Sequence, residues 1–296
     1  MKRAPDVPRA GKEMVLSATK LTNPEARFLV SNYYAAQDAR KRSDMQIRHM
    51  GDNVALPEVL SYSRDGNAVI EGQVMKCLES WANGSPVGRW CLAQFGVGPV
   101  LAAGFLAHLD IERAPTAGHF WSFAGQNPEM KWGKGEKRPY NADLKQLCYH
   151  FGECAKRTSN NPDSFYGRIY RDRKEYVVAK NDAGGNAERA KTFTTKSADW
   201  KATLAKGKLP DGNLDRQAGN YAAKIFLSHL HAVMYWDHYK KAPPKPFAIA
   251  HQGHAHEIKI PHMDLFPGFA EAYYGAAVKQ DNAPHVPQKK RAAVAA

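Results

Sequence analysis

The stretch that decides the fold reads Ser85-Pro86-Val87-Gly88-Arg89-Trp90-Cys91-Leu92-Ala93-Gln94-Phe95, then Gly96-Val97-Gly98, then Pro99-Val100-Leu101-Ala102-Ala103-Gly104-Phe105-Leu106-Ala107-His108-Leu109. Ser85-Pro86 is a helix cap followed by proline at the first helical position, where the missing N–H costs nothing, and Pro99 repeats that signal. Two short apolar helices joined by Gly-Val-Gly are therefore expected. Glycine admits the positive backbone dihedrals of a tight turn and keeps side chains out of the way. The amides opening the second helix then face outward, where the helix dipole favours an anion. A nucleic-acid phosphate is such an anion, and its capture does not depend on base identity. The plainer alternative is that Gly96 and Gly98 only make a tight αα-turn.

Helix signals continue on both sides. Asn23 reads as a cap before Pro24, opening a helix that runs to Met50 and stops at Gly51. A second helix is expected from about Asn67 to Ala82, with Val69, Ile70, Val74, Leu78 and Trp81 at helical spacing. Thr116 caps a helix through Ala124, and Asn141 caps one that carries Leu144, Leu147, Cys148 and Phe151. Helices are also expected over Tyr166–Lys180 and from about Asn213 to Tyr239, where Pro243-Pro244 follows. Asp182–Gly212 is polar and reads as a loop or weakly ordered insertion. Strand signals are confined to Phe247–Ala250 and Glu257–Ile260. The expected class is mainly α: a helix-hairpin-helix core with flanking long helices and a basic, loop-rich helical region. The segments are a disordered basic tail (1–20), an N-terminal helical region (21–84), the hairpin region (85–128), a basic helical region (129–270) and a low-complexity tail (271–296).

The 296 residues include 42 Lys or Arg and 29 Asp or Glu, a formal charge of +13. At 43% hydrophobic the composition excludes a wholly disordered or fibrous chain. The excess charge is uneven: residues 1–128 carry +2, residues 129–236 carry +8 and residues 237–296 carry +3. A positive middle segment rich in aromatics asks for a polyanionic partner, although a solvated lysine-rich surface is the plainer account. No stretch nears the ~18 apolar residues of a membrane span. Met1–Asp6 has no apolar run behind it, so no secretory signal is expected. Cys77, Cys91, Cys148 and Cys154 are too few and scattered for a disulfide framework, which suggests a reducing cytoplasm.

Phe95–Ala103, continuing through Asp110-Ile111 and Gly118-His119-Phe120-Trp121-Ser122-Phe123-Ala124-Gly125-Gln126-Asn127-Pro128, resembles the C-terminal domain of transposases of insertion-sequence family 110, also grouped with 116 and 902. In that family a helix-hairpin-helix precedes a Gly-x-x-Pro-like stretch, here Phe123–Pro128. The resemblance covers roughly a seventh of the chain, and more loosely Lys145–Gly152 and Arg216–Leu230. It implies DNA binding, transposition and recombination, and a nucleoid-associated or phage- or mobile-element-encoded protein. The family's RuvC-like nuclease domain has no counterpart in the roughly 85 residues before the hairpin, which read as helices. Its nucleophilic serine has none in Glu129–Gly135, and Ser122 lies too early. Catalytic residues are therefore unassigned, and the reading leans away from an enzyme.

Other constellations fit the same partner. Lys131, Lys134, Lys137 and Arg138 alternate with Trp132 and Tyr140, so cations can meet phosphates while a ring stacks on a base. Arg168, Arg171, Arg173 and Lys174 form a basic helical patch, with Asp172 and Glu175 partly neutralising it. Arg216, Asn220 and Lys224 fall at i, i+4 and i+8 on one face, with Ile225, Leu227, Leu230 and Val233 opposite as core. His251, His254, His256 and His262 are weak candidates for zinc, but they lack a neighbouring cysteine, so no metal is expected. Magnesium enters only if the protein is catalytic. The expected DNA contacts are Gly96, Val97, Gly98, Pro99, Val100, Lys131, Lys134, Lys137, Arg138, Arg171 and Lys224. The expected function is sequence-independent DNA binding by a transposase-like protein. The alternatives are an active transposase or recombinase, and an RNA-binding or structural protein. No membrane partner is expected, and self-association through the aromatic N-terminal helix stays open.

Overall fold

The computed structural model describes residues 9–50, 58–245 and 257–275. Among the described residues there are twelve α-helices, two 3-10 turns and no strand, so the mainly α class holds. No described helix is long and apolar enough to cross a membrane. The chain divides into two compact units, one of Met1–Ala93 with Val97–Asp110, the other of Gln94–Gly96 with Ile111–Ala296.

The first unit contains α1 (Lys12–Ser17), α2 (Asn23–His49), α3 (Glu58–Asn83), α4 (Pro86–Ala93) and α5 (Pro99–His108). The cap of α2 is Thr22 rather than Asn23. The Thr22 backbone N–H donates to Glu25 Oε2 at 2.7 Å, half of a reciprocal capping box. Helix α3 begins about nine residues earlier than its apolar spacing indicated, because Glu58–Gly66 adds polar turns that leave Val59 and Tyr62 exposed. Helices α2 and α3 pack on each other, with Arg40 paired to Glu71 at 2.7 Å. Helix α5 packs against both, and seven of its ten residues are buried, including Phe105 with no exposure. A helix apolar on every side has to be enclosed. Arg27 donates to the Ala107 carbonyl at 2.7 Å, serving an end of α5 that has lost its helical donors. An added Cβ on Gly88 lies 1.8 Å from the Ala82 carbonyl oxygen, so only glycine lets α4 leave α3 there. The expected disordered tail is ordered over its described part. Helix α1 and the 3-10 turn Ala18–Lys20 pack on α3, and the Trp81 indole donates to the Leu21 carbonyl at 2.9 Å.

The second unit contains α6 (Ala117–Phe123), α7 (Ala142–Arg157), α8 (Phe165–Asp182), α9 (Ala187–Thr192), α10 (Ala198–Ala205), α11 (Asp211–Tyr239) and α12 (Phe269–Tyr274). Thr116 and Asn141 cap α6 and α7 as expected, Asn141 accepting from the Leu144 N–H at 2.8 Å. Helix α11 is the spine, packed on α6, α7 and α8. It buries Leu227, Leu230 and Val233, while Ile225 is only half-buried. Phe151 of α7 stacks on Phe226 of α11 at 4.4 Å, and Tyr166 of α8 meets both edge-on at 5.4 Å. Helices α7 and α11 touch backbone to backbone. A Cβ on Gly152 falls 3.1 Å from Gly219 Cα. Asp215 on α11 binds Lys156 of α7 at 2.6 Å, Lys174 of α8 at 2.7 Å and the Tyr170 hydroxyl at 2.8 Å. Burial alone raises its pKa, but those three donors outweigh it and hold the carboxyl near 2.

Two further expectations are corrected here. Asp182–Gly212 is folded: α9 and α10 cover a small cluster of Val177, Ala190, Leu209 and Leu214. The buried Asn181 fastens it, donating to the Leu209 carbonyl at 3.1 Å and accepting from the Leu209 N–H at 2.9 Å. Glu257–Ile260 is irregular rather than a strand. Its Ile258 carbonyl lies 3.1 Å from Nε2 of the buried His229, and the Ile260 N–H donates to the Tyr274 hydroxyl at 3.0 Å. The low-complexity segment from residue 271 begins inside α12, with Tyr273 buried. Phe247–Ala250 and the residues from 276 onward lie outside the described residues.

Candidate functional site

The hairpin turn forms where its glycines indicated, with different roles for the two. Gly96 has φ +92°, which only glycine adopts readily. Gly98 has φ −83° and caps α5 in ordinary extended conformation, so only Gly96 uses the positive dihedral that glycine permits. An added Cβ on Gly98 meets nothing within 4 Å. The fold therefore does not require glycine at this exposed position, where Ser, Thr or Asp would supply a cap. Val97 and Val100 are buried, so only their backbone is available to a ligand. Pro99 has no N–H, and the amides of Val100 and Leu101, in the first turn of α5, have no helical acceptors.

Some cations of the second unit are held by carboxylates and others are not. Lys156 and Lys174 share Asp215, Lys208 meets Asp182 at 2.7 Å and Lys245 meets Glu257 at 2.7 Å. Arg138, Lys145, Arg173, Arg216 and Lys224 pair with no carboxylate among the described residues, and four of them lie over aromatic rings. The Lys145 ammonium is 4.3 Å from the Tyr140 ring centre, and the Arg216 guanidinium is 4.1 Å from that of Tyr149. Arg173 lies 4.7 Å from both Tyr176 and Tyr221, with its Nε buried and without a hydrogen-bond partner among the described residues. Lys224 lies 5.5 Å from the Trp121 ring. Burial, and then the nearby Arg173 charge, lower the Lys224 pKa. Arg216 and Lys224 are eight residues apart on α11, about 12 Å along the axis.

Arg138, Tyr140, Lys145, Gln146, Tyr149 and Arg216 line a pocket of about 320 Å³. Its walls come from the loop before α7, from α7 and from α11. The loop is seated by the stretch after α6. The Asn141 N–H donates to the Phe123 carbonyl at 2.9 Å, and Gly125, at φ +63°, packs under Tyr140 and the Lys145 stem. A Cβ on Gly125 would stand 2.8 Å from the Tyr140 ring. Trp132 is 44% exposed and meets Tyr140 edge-on at 5.3 Å, so it belongs to the surface rather than the core.

The remaining candidates are distributed less favourably. Lys131, Lys134 and Lys137 are exposed along the same loop as Arg138. Arg171 is engaged, 4.0 Å from Asp172 and donating to the Ser159 carbonyl at 3.4 Å, and Arg168 donates to the Pro162 carbonyl. His251, His254 and His256 lie outside the described residues, while His262 heads the 3-10 turn Met263–Leu265 at φ +54°. Among the described residues no three His, Cys, Asp or Glu groups gather as a metal site. Cys91 and Cys148 are buried thiols whose pKa burial raises, Cys148 to about 12. Sequence reasoning missed Lys145, Gln146 and Tyr149. They occupy the polar face of α7 at i, i+1 and i+4, a signal that marks a solvated face and carries no chemistry by itself. No family model, curated protein or solved structure matches the chain.

Proposed function

We propose that this protein binds DNA through its phosphate backbone, independently of sequence, as a transposase-like nucleic-acid-binding protein. The observation that carries this reading is that Lys145, Arg173, Arg216 and Lys224 of the second unit rest on aromatic rings without a carboxylate partner among the described residues. An arginine or lysine held over a ring is positioned yet unneutralised, which suits a phosphate better than a structural ion pair. Arg173 and Lys224 repel each other, and an anion between them converts that cost into attraction. The bare Gly98 turn supplies a second, uncharged approach, with the Val100 and Leu101 amides as donors.

The test is fluorescence anisotropy with duplex DNA of mixed sequence across a salt series. A steep salt dependence, with little change between unrelated sequences, is expected. Binding that is absent, or insensitive to salt, overturns the reading. Competition with structured RNA separates the RNA-binding alternative, and incubation with supercoiled DNA and magnesium reveals whether strands are cut or joined.

A further inference from the structure

We propose that the pocket between the 138–140 loop, α7 and α11 is a seat for one unpaired nucleotide carrying a phosphate. This rests on the nucleic-acid reading and adds a form of nucleic acid to it. Three cations, Arg138, Lys145 and Arg216, converge on a space of about 320 Å³. That volume lies at the small end of ligand pockets and is far below what a duplex occupies. The pocket carries the two chemistries that a nucleotide needs and a duplex backbone does not combine. The cations meet phosphate. Tyr140 and Tyr149 supply rings, each already bearing a cation on one face. A guanidinium is flat and has two faces, so Arg216, lying on Tyr149, offers its other face to a base. Gln146 adds a polar residue to the lining.

The geometry is held from behind. Gly125 lets the Tyr140 ring and the Lys145 stem settle against its Cα, and no other residue fits at φ +63° with a ring 2.8 Å from its Cβ. The Phe123–Pro128 stretch is therefore a support for the pocket, and Gly125 is a positioning residue that touches no ligand.

The experiment uses the full chain and anisotropy with three DNAs of one sequence: a blunt duplex, the same duplex with a 5′-phosphorylated single-stranded overhang, and the single strand. The overhang is expected to bind about 5- to 150-fold tighter than the blunt duplex, the range of one stacked base. In Arg138→Gln, an exposed loop change that spares the core, and in Gly125→Ala, that ratio is expected to fall toward one. A deoxynucleoside monophosphate is expected to compete for the overhang at concentrations where inorganic phosphate does not. Equal affinity for blunt and overhanging duplexes overturns the pocket proposal while leaving backbone binding standing. So does a ratio retained in both variants, or equal competition by phosphate. Failure to bind any of the three DNAs overturns both readings.

Discussion

The salt dependence of DNA binding reports how many of the ring-supported cations reach phosphates. Replacing Arg216 and Lys224 with glutamine removes two of five cations assigned to phosphates, Arg138, Lys145, Arg173, Arg216 and Lys224, which have no carboxylate partner among the described residues. Each phosphate neutralised on duplex DNA contributes about 0.9 to the slope of log K against log salt, so five contacts give a slope of about −4.5. Raising salt from 50 to 200 mM then weakens binding by roughly 500-fold. The double variant, with three contacts left, should show a slope of about −2.7 and a loss of roughly 40-fold over the same range. Arg216 is exposed and Lys224 half-buried, so the melting temperature should change little. The assay is anisotropy at four or more salt concentrations, with circular dichroism melting as the folding control. A slope unchanged in the folded double variant refutes the assignment of these residues to phosphate.

Three further outcomes follow from the geometry. Gly98→Val should cost only about 0.5–1 kcal/mol, as a poorer helix cap, and weaken DNA binding, whereas Gly96→Val should cost about 1–3 kcal/mol through its positive φ; a larger melting loss in Gly98→Val than in Gly96→Val would contradict the roles given to them. Gly88→Ala should destabilise the first unit by roughly 3 kcal/mol or more, since its methyl would overlap the Ala82 carbonyl at 1.8 Å, and a cooperative melt at the wild-type temperature would show the α3–α4 junction wrongly placed. His229 is buried, which lowers its pKa to about 4 despite the Ile258 carbonyl, against about 6.5 when unfolded. Its neutral form therefore supports the fold fully above pH 6.5. That support is lost as pH falls toward 4, a total of about 3 kcal/mol, and His231 shifts the same way. A melting temperature constant between pH 7 and 4.5 would refute this.

The helices that carried strong caps and full apolar faces were legible in the sequence. Thr116 and Asn141 cap where they were read, and the Pro99 helix is as buried as its composition demanded. What escaped were elements that bury few apolar side chains. Residues 182–212 have too few apolar side chains for a periodic pattern, and their order depends on Asn181 reaching Leu209 28 residues later. The polar first turns of α3 were invisible for the same reason: periodicity reports burial, and these turns bury little. The Arg216, Asn220 and Lys224 face was legible from helical spacing. The partners of those cations were not, because Tyr149 and Trp121 come from α7 and α6, and only tertiary packing unites them. The Gly-x-Gly motif gave the right turn but overstated the need for glycine at Gly98.

The contact between Gly152 and Gly219 has a consequence for the pocket. Tyr149 and Arg216 each stand three residues before one of these glycines, so the gap between ring and guanidinium is gauged by bare backbone against bare backbone. Helix spacing there is already at its minimum, and it can drift in one direction only. A single methyl at either glycine acts as a shim: it widens the jaw one helical turn away without altering any atom that faces the opening. The aperture is thus calibrated from inside the core, and selection or design can retune it there while every group on its rim stays the same.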